Sequence, residues 1–228
     1  MKRILRLYHG APNIVGRPKA NLGGWHRDFG RGVYCTASPE VAGEWACPSG
    51  EGGYVNSYEI DTKGLRILDI GKTSFPTLRW LATLAQNRTF RTDSDFALRA
   101  LDYLADNFSI ELGWYDIVKG NRGDDSYFSF ATDFINNTVS LGQVTKATNQ
   151  GKDGEQYVLI SEEAVSRLRY LGSEPVDAEV CFRRRCERDL RVRSKYLSRG
   201  KRGYIDEYDI MMEDLVLGRV ERDDPRLQ

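Results

Sequence analysis

The stretch Leu5-Arg6-Leu7-Tyr8-His9-Gly10 constrains the fold most. Leu5 and Leu7 alternate with polar neighbours and Tyr8 extends the β-prone run, so it forms a strand. The strand stops at a His-Gly step. Gly10, without a Cβ, lets another molecule approach the backbone closely. Two more short strands carry polar or aromatic groups. Asp28 to Thr36 is a glycine-punctuated loop that runs into a strand, and Glu155 to Ile160 is a strand with a polar start. Three strands so far apart in sequence, each delivering one such side chain, suit a clamp around a single ligand.

The loop Ala11 to Trp25 is rich in Gly, Pro and Asn and carries Arg17 and Lys19. Such a loop runs over the surface and is placed to cover a pocket. Ser38-Pro39-Glu40 reads as an N-cap, a proline at the first helical position and an acid in the first turn. Val41, Ala42, Trp45 and Ala46 follow on an apolar face. Strands are expected at Tyr54 to Asp61, Leu65 to Ile70 and Trp114 to Gly120. Helices are expected at Thr77 to Asn87, Asp95 to Phe108, Tyr127 to Asn136 and Leu141 to Thr148. Ser161-Glu162-Glu163 caps a helix over Ala164 to Tyr170. Ala178 to Phe182 reads as a last strand, and Tyr208 to Leu217 as an amphipathic helix. Strands and helices interspersed without a βαβ rhythm give an α+β fold.

Between Cys181 and Arg202 ten Lys or Arg stand against two acids, and the chain turns acidic from Asp206 to Glu213. That asymmetry divides the chain into a domain over 1–182 and a C-terminal extension over 183–228. The basic run suits phosphate contacts on a nucleic acid, an acidic protein partner, or a charged helix face paired with the acidic tail. Lys+Arg and Asp+Glu both number 33, so overall charge selects no partner. No apolar run approaches a membrane span or a signal peptide, so the expectation is a cytoplasmic protein. Cys35, Cys47, Cys181 and Cys186 lack metal-binding spacing and are expected as reduced thiols. With two histidines no His-based metal site is expected.

Tyr8-His9-Gly10, Gly30 to Ser38 with its tyrosine strand, and Glu155-Gln156-Tyr157-Val158 come in the order and spacing of three motifs. Together they resemble the diphtheria-toxin and poly(ADP-ribose)-polymerase branch of the ADP-ribosyltransferases. The closest likeness is a bacterial group catalogued as a domain of unknown function. Its members combine a Tyr-His-Gly start, an Asp-Phe-Gly-x-Gly-x-Tyr loop, a Tyr-Asp-x-Val-x-Gly strand like Tyr115 to Gly120, and a glutamine on the third strand. The likeness covers roughly residues 5–172. It implies a split β-sheet core with surrounding helices and NAD as substrate, without a metal. The implied reaction is mono-ADP-ribosyl transfer to a protein or nucleic acid, a glycosyltransferase chemistry. A bacterial toxin or defence effector with a neighbouring antitoxin is also implied.

By the same resemblance His9 holds the nicotinamide-side ribose, Gly10 pins the carboxamide, and Tyr34 and Trp45 stack the nicotinamide ring. Gln156 takes the place of a catalytic glutamate. A glutamine can donate or accept a hydrogen bond there, but it supplies no anion and no general base. Tyr8, Gly30 and Thr36 join the NAD-binding set, and Arg17 is either a solvated loop charge or a pyrophosphate contact. Glu155 should point to the face opposite Gln156, and it is a second-tier site candidate because a one-residue register shift would exchange the two. Asp124 and Asp125 are either a polar turn with a helix cap or an acceptor-orienting or metal-binding pair. Three rival functions remain open: an NAD glycohydrolase, a non-catalytic nucleotide-binding module, and an RNA-processing enzyme of a related branch.

Overall fold

Two small sheets meet at a seam. A computed structural model describes residues 4–20, 27–47, 51–92, 94–123, 125–149, 154–200 and 208–228. The first sheet has the order β1 (Ile4–Ala11), β3 (Gly53–Asp61), β7 (Leu168–Val176), all antiparallel. The second has the order β2 (Val33–Cys35), β6 (Glu155–Leu159), β5 (Ile117–Asn121), β4 (Ile67–Asp69), with only β4 and β5 parallel. The sheets are stitched where the Tyr8 N–H donates to the Thr36 carbonyl at 2.8 Å and the Thr36 N–H returns to the Tyr8 carbonyl at 2.9 Å.

Burial follows from this stacking. One face of the second sheet packs against the first through Leu7, Val33, Cys35, Ile60, Ile117 and Leu159. Its other face, through Leu68, Val118 and Val158, lies under helices α2 (Pro76–Asn87), α3 (Asp95–Phe108), α4 (Asp125–Ile135) and α5 (Leu141–Thr148). Strands β5 and β6 are therefore apolar on both faces, as a doubly covered sheet requires. The protein is α+β.

Helix α1 (Pro39–Ala46) starts as expected, with the Ser38 Oγ accepting the Val41 N–H. Such a cap contributes about 1 kcal/mol. Two expectations for the C-terminal third are corrected. The helix beginning at Ser161 is short, α6 (Glu162–Ser166), and the chain enters strand β7 at Leu168, where a helix to Tyr170 was expected. Contacts to β3 override the helical pattern: Arg169 reaches Glu59 at 2.6 Å, and Tyr170 lies over Tyr58 with ring centroids 5.9 Å apart. Pro175 is tolerated because β7 is an edge strand. Second, Ala178 to Phe182 is the first turn of α7 (Ala178–Gly200), not a strand. The Asp177 carboxylate accepts the Val180 N–H at 2.9 Å and starts the helix.

The last expected helix is confined to α8 (Met212–Val216). Residues 183–228 contribute Val192, Ile210, Met212, Leu215 and Leu227 to the main core. All four cysteines are free thiols, and burial pushes the Cys35 thiol up to about 12. Among the described residues no helix is long and apolar enough to cross a membrane.

Candidate functional site

Beside the seam, where the two sheets diverge, lies an open cavity of about 570 Å³. His9 and Gly10 reach it from β1, Tyr34 from β2, Trp45 from α1 and Gln156 from β6. These five came from three separate sequence motifs, and the fold brings them to one cavity. Arg27, Asp28, Arg88 and Arg122 also line it, with Ala11 and Pro12, and were not singled out from the sequence as site residues.

His9 sits one residue beyond the seam. Its Nδ1 lies 2.7 Å from the Tyr34 carbonyl, an acceptor, so Nδ1 carries the proton and Nε2 is a lone-pair acceptor. Burial pulls its pKa below the usual 6.5; the carbonyl bond opposes that shift and the Arg27 charge adds to it. The ring is thus neutral at neutral pH and suited to accept a hydrogen bond from a ligand hydroxyl. The unfolded chain takes up this proton before the folded one does. Stability from His9 is therefore full above 6.5 and is lost as pH falls through the window below it. Urea unfolding between about pH 7 and pH 5 should show wild type losing more stability than His9→Gln, since only wild type must protonate this buried ring. Equal losses in the two proteins would contradict that assignment.

Tyr34 presents its ring and not its hydroxyl. The hydroxyl donates to the Gly30 carbonyl at 2.7 Å and accepts the Phe29 N–H at 3.0 Å, and burial raises its pKa strongly. It braces the loop that carries Arg27 and Asp28. Gly30 allows the turn because its φ of 71° is in the left-handed region. Above the Tyr34 ring stands the Arg27 guanidinium, 5.2 Å from the centroid. Across the cavity Arg122, 1% exposed, lies 5.9 Å from the Trp45 ring. Two aromatic faces, each with a guanidinium beside it, line the cavity.

Asp28 binds the site together. Its Oδ1 accepts from Arg88 Nη1 at 2.7 Å. Its Oδ2 accepts the Gly123 N–H at 2.7 Å and Gln156 Nε2 at 2.9 Å. Arg88, the residue just past α2, also packs 4.4 Å over the Phe128 ring. One carboxylate thus fastens the loop after β1, the end of α2, the turn after β5 and the start of β6. Three guanidinium groups stand against one carboxylate around the cavity, so its field favours an anionic ligand.

The remaining sequence candidates lie elsewhere. Tyr8 and Thr36 lend their backbones to the seam, and the Thr36 Oγ1 accepts the Ser38 N–H at 3.2 Å. Arg17 lies on the loop after β1, outside the lining set. Gly10, which does line the cavity, also abuts α1: a Cβ there would stand 1.9 Å from the Ala42 carbonyl oxygen. Glu155 faces away from Gln156, as strand alternation requires. It pairs with Lys119 at 2.7 Å in a separate cavity of about 250 Å³ that Asp69 also lines. Asp124 and the side chain of Asp125 lie outside the described residues; Asp125 is the first residue of α4.

The chain belongs to the family described as "Protein of unknown function (DUF3990)", whose model matches residues 5–170. That match spans every residue lining the cavity. No curated protein and no solved structure matches the chain.

Proposed function

We propose that the protein is an NAD-dependent mono-ADP-ribosyltransferase. The observation that carries this reading is the convergence of His9, Gly10, Tyr34, Trp45 and Gln156 on one cavity of about 570 Å³, flanked by Arg27, Arg88 and Arg122. NAD needs what that cavity offers. Its nicotinamide ring suits the Tyr34 and Trp45 faces, a ribose hydroxyl suits the His9 Nε2, and its pyrophosphate suits the guanidinium groups.

In the reaction the nicotinamide–ribose bond breaks and its electron pair leaves with nicotinamide, which departs neutral. The ribose carbon left behind has oxocarbenium character. An acceptor nucleophile on a protein or nucleic acid bonds to that carbon and loses its proton. Gln156 accepts a hydrogen bond from a ribose hydroxyl without adding charge. Without an anion at this position, an acceptor that needs little deprotonation is favoured. A role as a bacterial toxin or defence effector held by an inhibitor protein belongs to the same proposal and is supported by the sequence resemblance.

The test is nicotinamide release from NAD by the purified protein, with cell extract supplied as acceptor. Wild type should release nicotinamide, and His9→Ala and Gln156→Ala should each lower the rate about 100-fold, the usual effect of deleting one positioned hydrogen-bonding group. Radiolabel from the adenylate half retained on a macromolecule identifies the transferase, and free ADP-ribose alone identifies a glycohydrolase. Binding of NAD without release would replace the enzyme with a binding module. RNA turnover without NAD binding would overturn the reading altogether.

A further inference from the structure

Gln156 is 3% exposed, and both of its amide hydrogens have acceptors. Nε2 lies 2.9 Å from the Asp28 Oδ2 and 3.5 Å from the Asn121 carbonyl. Asp28 is itself held from three sides, by Arg88 and by the Gly123 N–H as well as by Gln156. All three partners are donors, so Asp28 fits its place only as an acceptor. A glutamine facing a fixed acceptor must turn its nitrogen toward it. Its carbonyl oxygen then points the other way. Among the described residues no donor reaches Oε1.

We propose that Asp28 is the positioning residue that fixes the Gln156 amide with its carbonyl oxygen toward the cavity, so that a neutral glutamine presents the acceptor a substrate hydroxyl needs. The NAD reading supplies the substrate for this inference; the amide orientation stands without it. A free amide has two orientations, and the wrong one turns an NH2 donor toward the substrate. Asp28 removes that choice. Replacing Gln156 by glutamate would add a second carboxylate at hydrogen-bond distance from the first. Such a pair shares a proton, and one member titrates well above the usual carboxylate range.

The experiment compares Gln156→Glu, Asp28→Asn and the exchange Asp28→Asn/Gln156→Glu with wild type, each checked for its thermal transition. Gln156→Glu should release nicotinamide close to the wild-type rate in mild acid, where the proton it keeps points at Asp28. Its rate relative to wild type should fall by about 100-fold around pH 8 as the pair loses that proton. The double exchange puts an amide at position 28 and a carboxylate at position 156. It again sets a donor against an acceptor at position 156, but the new amide also meets the Gly123 N–H that Asp28 accepted, so the recovery is partial: a rate about tenfold above Gln156→Glu at the same pH, with a smaller alkaline loss. Gln156→Glu as active as wild type across this range, or a double variant no better than Gln156→Glu, would overturn the proposal.

If wild type releases no nicotinamide, the NAD reading fails, and side-chain amide NMR decides the orientation by itself. The Gln156 NH2 signals should show an exchange-protected proton in wild type that loses its protection in Asp28→Asn. Signals like those of a solvated glutamine in wild type would refute the orientation.

Discussion

Gly10→Ala should destabilise the fold by about 3 kcal/mol or more, a severe effect for the addition of one methyl group. The new Cβ would stand 1.9 Å from the Ala42 oxygen and 2.7 Å from the Ala46 nitrogen. Both atoms are backbone of α1, so no side chain can rotate away. Either α1 lifts off β1 or β1 leaves its pairing with β3. For a chain of this length the loss corresponds to a fall in the thermal midpoint of roughly 6–12 °C. Gly16→Ala is the control: a Cβ there meets nothing within 4 Å, and a change within about 0.5 kcal/mol is expected. Thermal and urea unfolding of the two variants give the comparison. Equal stabilities would mean that α1 does not sit against β1 as described. The His-Gly step thus has a second physical reason, since the glycine seats the helix that carries Trp45.

Much of the candidate site was legible because its chemistry rides on strand ends. Alternation set Glu155 and Gln156 on opposite faces, and Glu155 turns away toward Lys119. The residues that were missed are those whose meaning depends on long-range contact. Arg88 follows an amphipathic helix and Arg122 sits in a polar turn, and nothing local distinguishes either from a solvated charge. Asp28 was visible as part of a glycine loop, but its partners Gly123 and Gln156 are 95 and 128 residues away in sequence. In the fold, β7 was lost because Gly172 and Pro175 dilute its pattern, and its partner strand β3 ends more than a hundred residues upstream. The short apolar run Ala178 to Phe182 fits helix and strand equally. The Asp177 cap was the local sign that could have decided it, as Ser38 did for α1.

Glu44→Gln should cost about 2 kcal/mol, because it removes the charge from one partner of a largely buried, charge-assisted bond between two helices. Glu44 on α1 accepts from the Arg188 Nε on α7 at 2.7 Å, with the two side chains only 9% and 15% exposed. An exposed pair of this kind contributes at most about 1 kcal/mol, so burial decides the magnitude. A glutamine can still accept from the guanidinium, but without the negative charge that offsets its desolvation. Removing both charges should be far milder: Glu44→Leu/Arg188→Leu is expected near wild-type stability, since apolar replacement of a buried pair is often neutral. Urea unfolding of the single and double variants completes the cycle, and a Glu44→Gln loss below about 1 kcal/mol would show that the pair is effectively solvated. The cycle also bears on the cavity. Trp45 is the next residue after Glu44, and α1 is held between β1 and β3 on one side and α7 on the other. A helix released from α7 loses one of the contacts that set its height, and Trp45 moves with it. The Arg188 contact therefore joins the basic helix α7 to the helix that carries Trp45. On the proposed NAD reading, titration of Glu44→Gln with NAD, under conditions where the variant stays folded, should show weaker binding than wild type.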